Sequence, residues 1–268
     1  MIERAETQDE GSSPLIRALE EVKECTPPLA RFVQEFCDLM GLFSSFISMA
    51  TRLDDRKGMT RKLYDTVLQF INPDEEYRYS ETYRSMENYG GQFSRNMTVG
   101  MANNFLSYIS EVLQLVLAAR PEILRSSERL TTEEILQFSD IKDIVAYVAD
   151  RKINELSYGG LKGVEAYLRD RLGLELFENS NERMHLSILA ELRNIYTHNR
   201  GIVNRLFLTR IGSTSHDTFK FVLGEPYAVD LIDFNKLAVN AITVASRLDK
   251  GLTRKFGIAT EPLNLKSD

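Results

Sequence analysis

Arg193, Asn194, His198, Asn199 and Arg200 lie within eight consecutive residues, and Gly201 closes the run. Their surroundings are unusual in charge. Residues 192–216 carry four arginines (Arg193, Arg200, Arg205 and Arg210) and two histidines (His198 and His216), with no acidic residue. The whole chain of 268 residues has 33 basic against 39 acidic residues, a net charge of −6. The stretch is therefore a local positive patch in an acidic protein. Such a patch attracts phosphates and steers anions whatever the sign of the total charge. A solvated basic helix face is the plain alternative, because scattered surface charge needs no ligand to explain it.

The polar residues shift that balance. Leu189, Leu192, Ile195 and Ile202 mark an apolar stripe, and Asn194, His198 and Asn199 interrupt it with hydrogen-bonding groups. Asn194 and His198, four apart, share a helix face. Arg193 and His198, five apart, stand about 140° from one another around the axis, at about 100° per residue. A site using both needs the long arginine stem to reach round, or groups from a second helix or chain. A hydrogen-bonded structural histidine is the other reading of His198.

Other chemistries lack their residues. Cys25 and Cys37 lie twelve apart with no histidine beside them, and His185, His198 and His216 show no paired ligand spacing. Zinc needs three or four N or S ligands in close pairs, so no metal is expected. The chain has no glycine-rich phosphate loop, no dinucleotide fingerprint and no serine nucleophile elbow. Pairs such as Asp54-Asp55 and Glu133-Glu134 read as helix-terminal or solvated residues. No cofactor is implied. Two cysteines suit a reducing compartment rather than a disulfide framework. The first thirteen residues hold four acids and one arginine, which is not a secretory signal. Uncharged stretches such as residues 39–51 are shorter than the roughly 20 residues of a bilayer-spanning helix. A soluble, cytoplasmic protein is expected.

Apolar spacing of three and four places this chemistry in a mainly helical chain. Gly and Pro total 22 residues, about 8%, which also argues against an all-β or loop-rich fold. Phe32, Phe36, Met40, Phe43, Ile47 and Ala50 predict a helix over 28–53 behind Pro27 and Pro28. Leu63, Val67, Leu68 and Ile71 predict another that stops near Pro73. Residues 72–91, with Tyr77, Tyr79, Tyr83, Tyr89 and the Gly90-Gly91 pair, read as a linker or short exposed helix. Further helices are predicted over 93–119, 133–156, 161–172, from Asn179 through Leu206, and 231–256. Thr131 with Glu134, Asn179 with Glu182, and Asp230 with Asp233 supply start signals. Phe219–Leu223 and Tyr227–Val229 allow one small hairpin.

The motif Arg193-Asn194, three residues, His198-Asn199 resembles the R-x4-6-H signature of HEPN domains, α-helical domains of toxin, antiphage-defence and RNA-processing ribonucleases. The resemblance covers residues 91–258 and implies an all-α chain with a HEPN-like antiparallel helical bundle there. The additional N-terminal helices of 1–90 lie outside it with no role assigned, and 259–268 form a tail. The resemblance also implies metal-independent cleavage of RNA by its own 2′-hydroxyl, in a toxin or antiviral-defence setting. His198 would then be general acid or base, an imidazole exchanging protons near neutral pH. Arg193 would hold the scissile phosphate with its permanently charged fork. Asn194 would orient either group, and Asn199, Arg200 and Arg205 would contact RNA. The implied partners are RNA, a second copy forming a composite site in a homodimer, and an antitoxin or defence-system protein, with no membrane. A non-catalytic HEPN module binding RNA or a partner protein is the alternative. The family's toxins often carry a modifiable tyrosine two residues after the histidine, where this chain has Arg200. Tyr196 is expected to pack or to stack on a base.

Overall fold

The computed structural model describes residues 13–55, 81–124, 130–212 and 219–265. The predicted amphipathic piece around Leu63–Ile71, together with Tyr77, Tyr79 and His216, lies outside them. The described chain is mostly helical. In order it forms α1 (Pro14–Glu20), α2 (Pro27–Asp55), α3 (Glu81–Ala119), a short 3-10 turn (Pro121–Leu124), α4 (Thr132–Leu136), α5 (Ile141–Tyr167) and a π turn (Leu168–Leu172). These are followed by α6 (Ser180–His198), α7 (Arg205–Ile211) and α8 (Leu231–Phe256).

The central element is α3, which packs against α2, α5, α6 and α8. Its Met97, Met101, Phe105, Tyr108, Val112 and Val116 are buried at helical spacing. They meet Phe32 and Phe36 of α2, Leu189 and Leu192 of α6, and Leu237, Ala241, Ala245 and Leu252 of α8 in one core. Small residues along α8 let the helices approach closely, and each large apolar side chain withdrawn from water contributes about 1.5–3 kcal/mol.

Several boundaries differ from the sequence expectation. The helix expected from residue 93 begins at Glu81 and runs through Gly90-Gly91. Two glycines cost roughly 2 kcal/mol of helix propensity, and a 39-residue helix anchored by its packed half absorbs this. The helix expected over 133–156 is two helices, with the Thr131–Glu134 capping box starting only the short α4. Asp140 caps α5 instead. The break expected at Gly159-Gly160 is a kink inside α5, where Gly160 takes φ 62° and ψ −166°. Ile202 and Leu206 leave the signature helix, which ends at His198.

No hairpin forms at 219–229. Ile202 instead bridges Pro226 across an isolated antiparallel contact. The regular sheet lies elsewhere: β1 (Glu24–Cys25) pairs antiparallel with β2 (Glu261–Pro262), Cys25 opposite Glu261. Strands of two residues carry no alternation to read, and their pairing joins distant parts of the chain.

That junction is locked from inside. Buried Asp249 of α8 accepts from the Thr26 backbone N–H at 3.0 Å and from the Thr26 hydroxyl at 2.5 Å. Burial pushes the Asp249 carboxyl up despite those bonds. Burial, with Asp249 and Glu261 adding to it, pushes the Cys25 thiol up to about 11.

Candidate functional site at the end of α6

Helix α6 begins with Asn179, whose side chain accepts from the Glu182 N–H at 2.9 Å. Leu186, Leu189, Leu192 and Ile195 are buried against α3 and α8. This stripe orients the helix and directs the signature residues away from the core centre. The last turn ends at His198, and Asn199 is the C-cap.

Arg193 is half-buried against α3. Its Nε donates to Asn103 Oδ1 at 3.0 Å, and Nη1 donates to the neighbouring Asn194 Oδ1 at 3.3 Å. Two neutral amide oxygens hold this guanidinium, and no carboxylate pairs with it among the described residues. His198 is exposed, with no side-chain hydrogen bond among the described residues. The histidine of this helix that turns inward is a different one, half-buried His185. His185 stands edge-on to Phe219 at 5.8 Å, and burial pushes its pKa below the ordinary imidazole value.

The remaining expected residues separate by role. Asn199 Nδ2 donates to the Ile202 carbonyl at 2.6 Å, so its side chain fixes the turn. Arg200 is exposed and holds φ 54°, a left-handed conformation uncommon for a residue with a side chain. Gly201 is buried at φ 81°, and a Cβ there would lie 3.1 Å from the Tyr196 ring and 3.0 Å from Arg95 Nη2. Arg205 is exposed in the first turn of α7. Arg210 is engaged instead with Glu191, at 3.3 Å. Tyr196 is buried, accepts from the Val229 N–H at 3.2 Å, and therefore packs rather than offering a face to a base.

Arg95 is the residue that motif reading missed. It lies on α3, its guanidinium 5.3 Å over the Tyr196 ring. Its Nε is buried without a hydrogen-bond partner. A signal for it exists in the sequence: between Glu87 and Glu111, Arg95 is the only charged residue. Among arginines with described side chains, Arg95, Arg193 and Arg247 are half-buried and the rest exposed. Arg247 is paired with Glu182 at 2.7 Å and Glu178 at 3.3 Å. The other two lie on the junction of α3 with α6 and have no carboxylate partner among the described residues. A partly desolvated charge is ordinarily compensated by a counter-charge, and among the described residues no carboxylate supplies one to either guanidinium.

No three His, Cys, Asp or Glu side chains among the described residues converge so as to hold a metal ion. No helix among them is long and apolar enough to cross a membrane. Compared with known protein families, curated proteins and solved structures, the chain gives no match.

Proposed function

We propose that the protein is a metal-independent endoribonuclease of HEPN type, with Arg193, Asn194 and His198 as its working residues in a homodimer. The observation that carries this reading is the state of Arg193: half-buried, aimed by Asn103 and Asn194, and left without a carboxylate on the helix that ends in exposed His198. A guanidinium so held is available to fork onto a phosphate and to offset charge as it develops there.

In the reaction, a His198 imidazole removes the proton of a ribose 2′-hydroxyl. The 2′-oxygen attacks the adjacent phosphorus, and the bond to the 5′-oxygen breaks. That oxygen takes up a proton from an imidazolium, leaving a 2′,3′-cyclic phosphate and a 5′-hydroxyl. One imidazole cannot stand on both sides of the phosphorus, so a second His198 from a two-fold partner supplies the other proton transfer. Exposed Ile202, Leu206, Val222 and Leu223, on the segments following α6 and bridging to it, supply apolar area for that partner. A toxin or defence role, and a neutralising partner protein, belong to the same reading.

The test is product chemistry. RNA incubated with the protein in excess chelator is expected to yield cyclic-phosphate and 5′-hydroxyl ends, while a 2′-O-methyl strand stays whole. Cleavage that requires an added divalent ion, or that leaves 5′-phosphates, overturns the proposal. Leu206→Glu is expected to raise the dimer dissociation constant at least tenfold in sedimentation and to lower cleavage with it.

A further inference from the structure

Arg95 has no part in the reading above, yet its situation matches that of Arg193. Both guanidiniums are half-buried on the α3–α6 junction, and both lack a carboxylate among the described residues. Two acid-free segments meet there: residues 88–110, all on α3, and residues 192–216, which begin on α6. They run antiparallel, since Arg193 contacts Asn103 while Tyr196 and Gly201, later in the chain, contact Arg95. Two carboxylates of the neighbouring segment are engaged elsewhere. Asp230 caps α8, and Asp233 accepts from Tyr227 and Lys236 at 3.0 Å each.

We propose that Arg95 is a second phosphate-binding residue, and that the ligand is an extended single-stranded polynucleotide whose backbone runs along the α3–α6 junction. This rests on the reading that Arg193 holds an RNA phosphate. The two guanidiniums are held at different stations, one by Asn103 and one over Tyr196. Those stations are eight residues apart on α3, about 12 Å at 1.5 Å per residue. Pinned in this way they serve two phosphates of one chain. Between them α3 exposes Asn96, an uncharged group that neither repels a backbone nor requires a particular base. A single strand suits the chemistry, because in-line attack by a 2′-oxygen needs a backbone free to rotate. Buried Arg95 Nε, without a partner, is the donor that a phosphate oxygen would satisfy after a small shift of the guanidinium.

The experiment measures binding of a fluorescent 2′-O-methyl single strand, which resists cleavage, to the full chain across a salt series. Arg95→Gln and Arg193→Gln are each expected to weaken binding several-fold and to reduce the log–log salt slope by about 0.7, one phosphate contact. Inorganic phosphate and a duplex of the same sequence should compete poorly. If Arg95→Gln keeps wild-type affinity and slope while Arg193→Gln loses both, the Arg95 proposal fails and the ribonuclease reading stands. If the wild type neither binds the strand nor cuts RNA, both fail. Should Arg95→Gln not fold, Arg95→Lys decides: weaker affinity with the slope retained supports the proposal, because an ammonium keeps the charge without the fork. Lower thermal stability with unchanged affinity overturns it.

Discussion

The two ends of α6 treat their charges in opposite ways. At the start, the Glu182 carboxylate accepts from both Arg247 terminal nitrogens at 2.7 Å and from the Glu178 N–H at 2.8 Å. Burial pushes the Glu182 carboxyl up, but hydrogen bonds from Arg247 and the Glu178 N–H outweigh it and hold it below the usual range. Arg247 also reaches the Leu176 carbonyl at 3.0 Å, and Arg183 pairs with Glu165. At the far end Arg193 has two amide oxygens, Arg95 has an aromatic face, and His198 has solvent. Closed charge pairs fix the helix in the core, whereas the charges at the far end have no carboxylate partner among the described residues.

The largest stability effect should separate the two ends. Arg247→Met leaves Glu182 buried and unpaired, and is expected to cost about 2–3 kcal/mol, less than a fully buried pair because Arg247 remains one-quarter exposed. Arg193→Met removes a half-buried charge with no counter-ion, and is expected to leave stability within about 0.5 kcal/mol or raise it. Denaturant unfolding of both variants checks this. Equal losses would erase the distinction between the ends.

The turn after α6 comes next. Gly201→Ala puts a side chain at φ 81° against the Tyr196 ring and Arg95, and is expected to cost about 1–3 kcal/mol. Arg95 and Tyr196 must shift with it, so binding of a single strand should weaken as well. Unchanged stability would show that the turn is not held as described.

The two histidines offer the finest discrimination. A histidine whose native pKa is lowered binds fewer protons in the folded than in the unfolded chain. The contribution of His185 is therefore present above the ordinary value of 6.5 and is lost as pH falls through its lowered native value. Melting temperature should decline below about pH 6.5, and His185→Leu should flatten that decline while His198→Ala leaves it. The reverse result would exchange the roles of the two side chains.

Local signals were legible wherever a single turn decides. The Asn179–Glu182 and Asp230–Asp233 caps start α6 and α8 where the sequence places them, because each cap is made by residues three apart. The apolar stripe of α2 was equally readable from spacing, with Phe32 and Phe36 buried in the core. What could not be read depended on distant partners. The passage of α3 through Gly90-Gly91, the pairing of β1 with β2, and the Ile202–Pro226 bridge in place of a hairpin are set by tertiary packing. The candidate site divides likewise. Arg193, Asn194 and His198 share one helix and were found by spacing. Arg95 became visible only once α3 lay beside α6, although its isolation in an uncharged stretch was a sign in plain sequence.

The central claim is that the C-terminal end of α6 works on RNA rather than holding the fold. The most direct measurement compares the wild type with His198→Ala for RNA cleavage in chelator, with melting temperature taken on the same samples. The account predicts a loss of at least about 10²-fold in cleavage, the scale of one acid–base group, at an unchanged melting temperature. Cleavage at the wild-type rate by the folded variant would contradict it.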